Sequence, residues 1–344
     1  MQATSVQGVS DSDQAAALQH QPLIGIVTMP KQAAGPMGDL GREQYILDIN
    51  RGFMEQGGSR VVAISYDISH EELIKILDSI NGVLLTGGNV VLIDPETKEF
   101  HQYYKTVSAI IHYAMRAKDT RQDSFPILGI CQGFQILSMV IAGDINTLED
   151  IKVIGQNRKK VWKVADPRSN SKLFSRFEED LIKAFEEQEL CVHFHNYAFS
   201  VEKFNSLPNL ADQLLLLQTD ILDDGTEFVS GFEAKNYPFY AVLYHPEYQQ
   251  YKPNSMFKFN KCDETLRIVK HLTALMFEQS SLNKNRPPAG YTHEHYPLLT
   301  EVNREIVDQY SKMMTEDSDP FVALTMDSGA SYKLYPHLFE NQTQ

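Results

Sequence analysis

Short apolar runs recur along the first 145 residues, each closed by glycine or a polar turn: PLIGIVTM from Pro22, RVVAISY from Arg60, GVLLTGG from Gly82 and FPILGIC from Phe125. Their near-continuous hydrophobicity predicts strands buried on both faces. Helical spacing lies between them. REQYILDINRGFMEQGG places Tyr45, Ile49 and Phe53 four apart and stops at Gly57-Gly58, which predicts a helix across the whole segment. SHEELIKILDSING sets Ser69 as an N-cap with Glu72 three residues on, the pattern of a capping box. Strand and helix in alternation predict a mainly parallel sheet covered on both faces, a three-layer α/β/α fold.

Beyond about residue 150 the pattern changes. LCVHFHNYAFSVEKF, QLLLLQTD, TEFVSGFEAK and FYAVLYHPE are extended runs separated by polar turns, expected as further strands of the same sheet. Residues 1–20 are polar and read as a disordered tail, residues 21–280 as the catalytic domain, and residues 281–344, opening with SLNKNRPPAGYTHEHYP, as an extension packed on that domain.

Composition narrows the classes. The net charge of −14 argues against a nucleic-acid partner, which calls for a clustered basic surface. The sole basic run, NRKK at Asn157–Lys160, reads as a solvated loop. Three dispersed cysteines without a CxxC support neither a disulfide framework nor a zinc knuckle. ILGICQGFQILSMVIAG is interrupted by Gln132, Gln135 and glycines, so a buried strand and helix is expected rather than a membrane span. The opening segment shows no apolar core of a secretory leader. The lone glycosylation sequon, at Asn341, decides nothing.

Chemistry concentrates at Gly129-Ile130-Cys131-Gln132-Gly133. Glycines on either side of a residue between strand and helix permit the sharp turn of a nucleophile elbow. A cysteine there would feel the positive end of the helix dipole, which favours a thiolate. The competing reading is a small buried hydrophobe. His245-Pro246-Glu247 supplies a candidate base: proline holds His245 extended, so Glu247 shares its face and could orient the ring. A solvated strand-end His is the alternative. Gly87-Gly88 closes another strand, and the amides of Gly88 and Gln132 could form an oxyanion hole.

Together these residues resemble the class I glutamine amidotransferase superfamily and, more narrowly, the γ-glutamyl hydrolases. The similarity runs through PLIGIVTMP, GGSRVVAISYD, INGVLLTGGN, FPILGICQGFQ, HFHNYAFS and EFVSGFEAKNYPFYAVLYHPE. It implies Cys131 as nucleophile, His245 as base, Glu247 as its orienter, and His195, Gln135 and Gly87 on the substrate side. It further implies cleavage of γ-glutamyl amides, folylpoly-γ-glutamates foremost, with no cofactor, no metal, no nucleic-acid or membrane partner, and a homodimer. The compartment implied is lysosomal, vacuolar or secreted; the missing leader leaves a cytoplasmic chain as the alternative. The sequence departs from the animal pattern at Gln135 (Glu there), Tyr244 (Trp) and Asn50 (a site Tyr). Two other readings stay open: a glutaminase or other small γ-glutamyl amide hydrolase, and an inactive protein keeping the fold. Cys191, His193 and His195 alternate along one extended segment, so a metal site is weighed and set below a packed strand with one site histidine.

Overall fold

The computed structural model describes residues 21–31, 44–250 and 259–287, together with the backbone of 303–306 and 322–326. The proposed tail at 1–20 and the Asn341 sequon lie outside the described residues.

The strands are β1 (Leu23–Val27), β2 (Met29–Pro30), β3 (Gln44–Leu47), β4 (Arg60–Ile64), β5 (Gly82–Leu85), β6 (Ile127–Ile130), β7 (Val153–Arg158), β8 (Val161–Trp162), β9 (Cys191–His195), β10 (Leu214–Ile221), β11 (Glu227–Ala234), β12 (Phe239–Val242), β13 (Asn303–Ile306) and β14 (Val322–Met326). The helices are α1 (Asp48–Glu55), α2 (His70–Leu77), α3 (Gln102–Arg121), α4 (Gln132–Ala142), α5 (Pro167–Asn170), α6 (Glu179–Glu187), α7 (Val201–Ser206), α8 (Pro208–Gln213) and α9 (Asp263–Ser281).

Eight strands form the main sheet in the order β4-β1-β5-β6-β12-β11-β10-β8. Neighbours from β4 through β12 run parallel, and β11, β10 and β8 continue the sheet antiparallel. Alternation along the strands sorts the core into two faces. Val62, Ile64, Val83, Leu85 and Ile127 meet α2, α3 and α4 on one side. Ile24, Ile26, Val61, Ala63, Leu84, Leu128 and Ile130 meet α1, α6 and α9 on the other. Each fully buried aliphatic side chain contributes about 1.5–3 kcal/mol, which explains why these strands read as unbroken apolar runs. The layers are the α/β/α arrangement expected.

Local signals account for much of this. Ser69 accepts from the Glu72 amide and Glu72 reaches back to the Ser69 amide, closing the capping box of α2. α4 is buried nearly all round, because it lies on β5, β6 and β12 and against α3 and α8.

Three expectations need correction. Gln44–Leu47 is a strand, not the first turn of a helix: it pairs with β2 and β14, and the helix begins only at Asp48. Long-range pairing overrides the four-residue spacing of Tyr45. β9 does not join the main sheet; it pairs antiparallel with β7 in a separate ribbon. Lys160, expected in a solvated loop, is 2% exposed. The segment beyond residue 281 reaches the domain where Asn285 donates to the carbonyls of Leu77 and Ile80 and accepts from Asn81, and where β14 pairs with β3. Among the described residues no helix is long and apolar enough to cross a membrane.

Candidate active site

Cys131 sits between the end of β6 and the start of α4 with φ 50° and ψ −103°, a conformation that costs an L-residue about 1–3 kcal/mol. Its neighbours show why glycine is needed. A Cβ on Gly129 would lie 2.9 Å from the Gly133 carbonyl, and one on Gly133 would run into the backbone carbonyl of Leu85. The turn is a nucleophile elbow. It aims the thiol, 3.6 Å from the Phe194 carbonyl, at a cavity of about 620 Å³.

His245 follows β12, one strand from β6, and its amide donates to the Val192 carbonyl at 2.9 Å. Its Nδ1 is 2.7 Å from Glu247 Oε1, and its ring stacks on Tyr248 with centroids 4.6 Å apart. Pro246–Gln250 form a 3₁₀ turn, so Glu247 reaches the imidazole by coiling back and not by the shared face of an extended chain. Burial opposes charge on His245, but the Glu247 carboxylate and the Cys131 sulfur outweigh it and push the ring up to about 10. Nδ1 is committed to Glu247, which leaves Nε2 for the interaction with Cys131. Gly87 lies between the two side chains: a Cβ there would stand 2.5 Å from His245 Cε1 and 3.3 Å from Cys131 Cβ.

The loop after β5 is clamped by Gln132, whose side chain accepts from the Val90 amide (3.1 Å) and donates to the Val90 carbonyl (2.8 Å). The Gly133 amide is taken by the Thr86 carbonyl and the Cys131 amide by Val242. The amide of Gln132 is thus the helix-end donor beside the sulfur. Gly88 packs against Met29 and the Gln132 amide oxygen and lines the same cavity. Gln135, one turn into α4, donates to the Tyr197 carbonyl at 2.7 Å.

His195 lines the cavity, yet both its ring nitrogens are committed. Nδ1 donates to the Ile151 carbonyl (3.1 Å), and Nε2 is 3.1 Å from His193 Nδ1. His193 Nε2 in turn lies 2.7 Å from Lys160 Nζ, which donates to Asp220 Oδ1 at 2.7 Å and sits 4.6 Å above the Tyr244 ring. Burial and the Lys160 cation press His193 down to about 4; burial and His193 hold His195 well below the ordinary imidazole range. Two neutral rings have one consistent assignment, in which each carries its proton on Nδ1 and accepts at Nε2. Among the described residues no group of His, Cys, Asp and Glu could hold a metal ion, and all three cysteines are free thiols.

Lys160, Asp220 and Tyr248 were not singled out from the sequence as parts of this site; no local pattern marks them. Tyr244 lies in the buried network, donating to Gln218 at 2.9 Å. Asn50 does line the cavity, with a buried Oδ1 that has no partner among the described residues. The described lining carries no Lys, Arg, Asp or Glu.

The sequence matches the family described as Peptidase C26 over residues 22–247. The chain belongs to the peptidase C26 family. It is a hydrolase of that family, and two relatives illustrate its reach. It is 31% identical to "Gamma-glutamyl hydrolase" of Rattus norvegicus over 66% of this chain and 67% of the relative. It is 27% identical to "Gamma-glutamyl hydrolase 1" of Arabidopsis thaliana over 78% of this chain and 75% of the relative. A glutamine amidotransferase structure from Thermotoga maritima superposes with a TM-score of 0.45 at 16% identity, covering 76% of this chain and 98% of that one. In this peptidase C26 chain the family match spans the elbow, the Gly87-Gly88 loop and His245–Glu247.

Proposed function

We propose that the chain hydrolyses γ-glutamyl amides through a thioester on Cys131. The observation that carries this reading is the convergence of a strained elbow cysteine and a buried, carboxylate-held imidazole on one cavity. The relatives' names supply the γ-glutamyl class.

In the proposed mechanism His245 Nε2 takes the thiol proton, and the sulfur adds to the γ-carbonyl carbon. The amides of Gln132 and Gly88 donate to the oxyanion, each worth about 2.7–4 kcal/mol of barrier. Collapse breaks the C–N bond as the imidazolium returns the proton to the departing amine. Water, deprotonated by His245, then adds to the thioester; the C–S bond breaks and the proton returns to the sulfur. Glu247 keeps Nδ1 protonated and stabilises the imidazolium in both halves.

Folylpoly-γ-glutamates are the proposed substrates. The test is release of glutamate from a folyl oligo-γ-glutamate by the purified chain against Cys131→Ala. Loss of release in the variant supports the reading; equal release by both removes Cys131 from it. A second reading, a glutaminase, is favoured by the uncharged Gln135 and by a described lining without Lys or Arg to meet a polyanionic substrate. Ammonia from free glutamine, with folyl oligo-γ-glutamate left intact, would select it.

A further inference from the structure

The reaction does not use the four-membered chain Asp220–Lys160–His193–His195, although its side chains are buried and two of them, Lys160 and Asp220, form an ion pair with no side-chain exposure. A buried pair of this kind is weak evidence for stability, because desolvation offsets most of its Coulomb gain. It calls for another account.

Direction of donation supplies one. The Ile151 carbonyl can only accept, so the proton of His195 is on Nδ1; His195 Nε2 then accepts from His193 Nδ1, and His193 Nε2 accepts from the Lys160 ammonium. Lys160 has no acceptor capacity, so a protonated His193 would set a second donor against it. The cation thus keeps its neighbour neutral and bonds the nitrogen that the Ile151 carbonyl leaves as acceptor. The groups around His193 are Lys160 between β7 and β8, Asp220 on β10, Cys191 and His195 on its own strand, and Tyr244 and His245 after β12.

We propose that Lys160, held by Asp220, is a positioning residue for the reaction: it keeps His193 and His195 neutral beside the Cys131–His245 pair, so that no second cation competes with the His245 imidazolium. This rests on His245 being the base, as argued above. His193 is coupled electrostatically to His245, and its strand forms the wall on which the Cys131 thiol and the His245 amide both rest, through Phe194 and Val192.

Lys160→Met tests it. The variant leaves Asp220 buried and unpaired, with Oδ1 already 3.4 Å from His193 Nε2. His193 takes up a proton at Nε2, donates to Asp220, and the cation moves from the lysine onto the ring. The alkaline limb of kcat/KM is expected to fall by about one pH unit or more, as a like charge beside His245 requires, with KM unchanged. Lys160→Met with Asp220→Asn removes both charges and is expected to return the limb to the wild-type position. A purely structural role would not produce this rescue.

Nitrogen-15 NMR of histidine-labelled protein reads the network without turnover. Wild-type His193 is expected to stay a neutral Nδ1–H tautomer from about pH 5 to pH 9, to become imidazolium in Lys160→Met, and to be neutral again in the double variant. If Lys160→Met does not fold, Lys160→Gln, which can still donate to Asp220 without the charge, decides: a neutral His193 near neutrality together with an unchanged alkaline limb overturns the proposal. Wild-type His193 titrating between about pH 5 and pH 8, or an unchanged limb with neutral His193 in Lys160→Met, also overturns it. Should the chain turn over no γ-glutamyl amide, the proposed function fails and the NMR result still stands or falls alone.

Discussion

Replacing Glu247 by Gln keeps the shape of the contact to His245 and removes its charge. Glu247 is 1% exposed and holds Nδ1 at 2.7 Å, so the amide oxygen can still accept the Nδ1–H. The change in electrostatics is large. A ring raised from 6.5 to about 10 has about 5 kcal/mol in favour of its charged form, at ~1.4 kcal/mol per pH unit. Burial alone would push the other way; the carboxylate is the first of the groups that reverse it, and Cys131 the second. Without Glu247 the imidazole is expected near or below neutrality, and the imidazolium that the proposed mechanism calls for becomes scarce. The assay is the pH dependence of kcat/KM beside that of alkylation at Cys131. The alkaline inflection should fall by about two pH units or more, with a loss of ~10²–10⁴ in kcat/KM near neutrality, the range removed with a general acid–base partner. An inflection within about half a pH unit of wild type would refute Glu247 as the group that sustains the charge. Stability has the same sign. A raised histidine stabilises the fold fully below 6.5, and that stabilisation disappears as pH rises through about 10; Glu247→Gln should flatten this alkaline loss.

Gly87→Ala should abolish turnover with a melting temperature close to wild type, because the added methyl meets the His245 ring at 2.5 Å; normal kcat would refute the tight approach. Cys131→Gly should be at least as stable as Cys131→Ala in urea titration, reversing by about 1 kcal/mol the usual advantage of Ala over Gly, since φ is 50° at this position; an ordinary Ala advantage would remove the strain. On the acid side, His193 is neutral in the fold to about 4 and protonates near 6.5 when unfolded, so stability should fall as pH drops from 6.5 toward 4, by up to about 3 kcal/mol. His193→Gln should show a shallower acid slope in thermal melts, and equal slopes would remove His193 as the source.

What could be read from the sequence was local. The elbow is legible because only glycine tolerates the contacts at Gly129 and Gly133, and the two are visible around Cys131 in five residues. Strands β1, β4, β5 and β6 are legible because burial on both faces leaves unbroken apolar runs. Glu247 was paired with His245 for the wrong reason: the extended geometry that Pro246 suggested gives way to a 3₁₀ turn, and proximity survives because two residues cannot separate far. Features set by distant partners were not legible. Gln44–Leu47 carries helical spacing but is captured by β14, far along the chain. Lys160 has partners at 193 and 220, so its own neighbours in sequence, basic and polar, describe a surface it does not occupy.

The separation of β9 and β7 from the main sheet divides inheritance of the site. Cys131, His245 and the glycine loop follow neighbouring parallel strands, where any shift would break the core on both faces. The facing wall, with Ile154 and Phe194 toward the cavity, belongs to a two-stranded ribbon outside that sheet. A lineage can therefore drift in what it accepts while its bond-breaking apparatus stands still, and the ribbon is the piece of chain to exchange when a new amide is to be fitted to the same thiol.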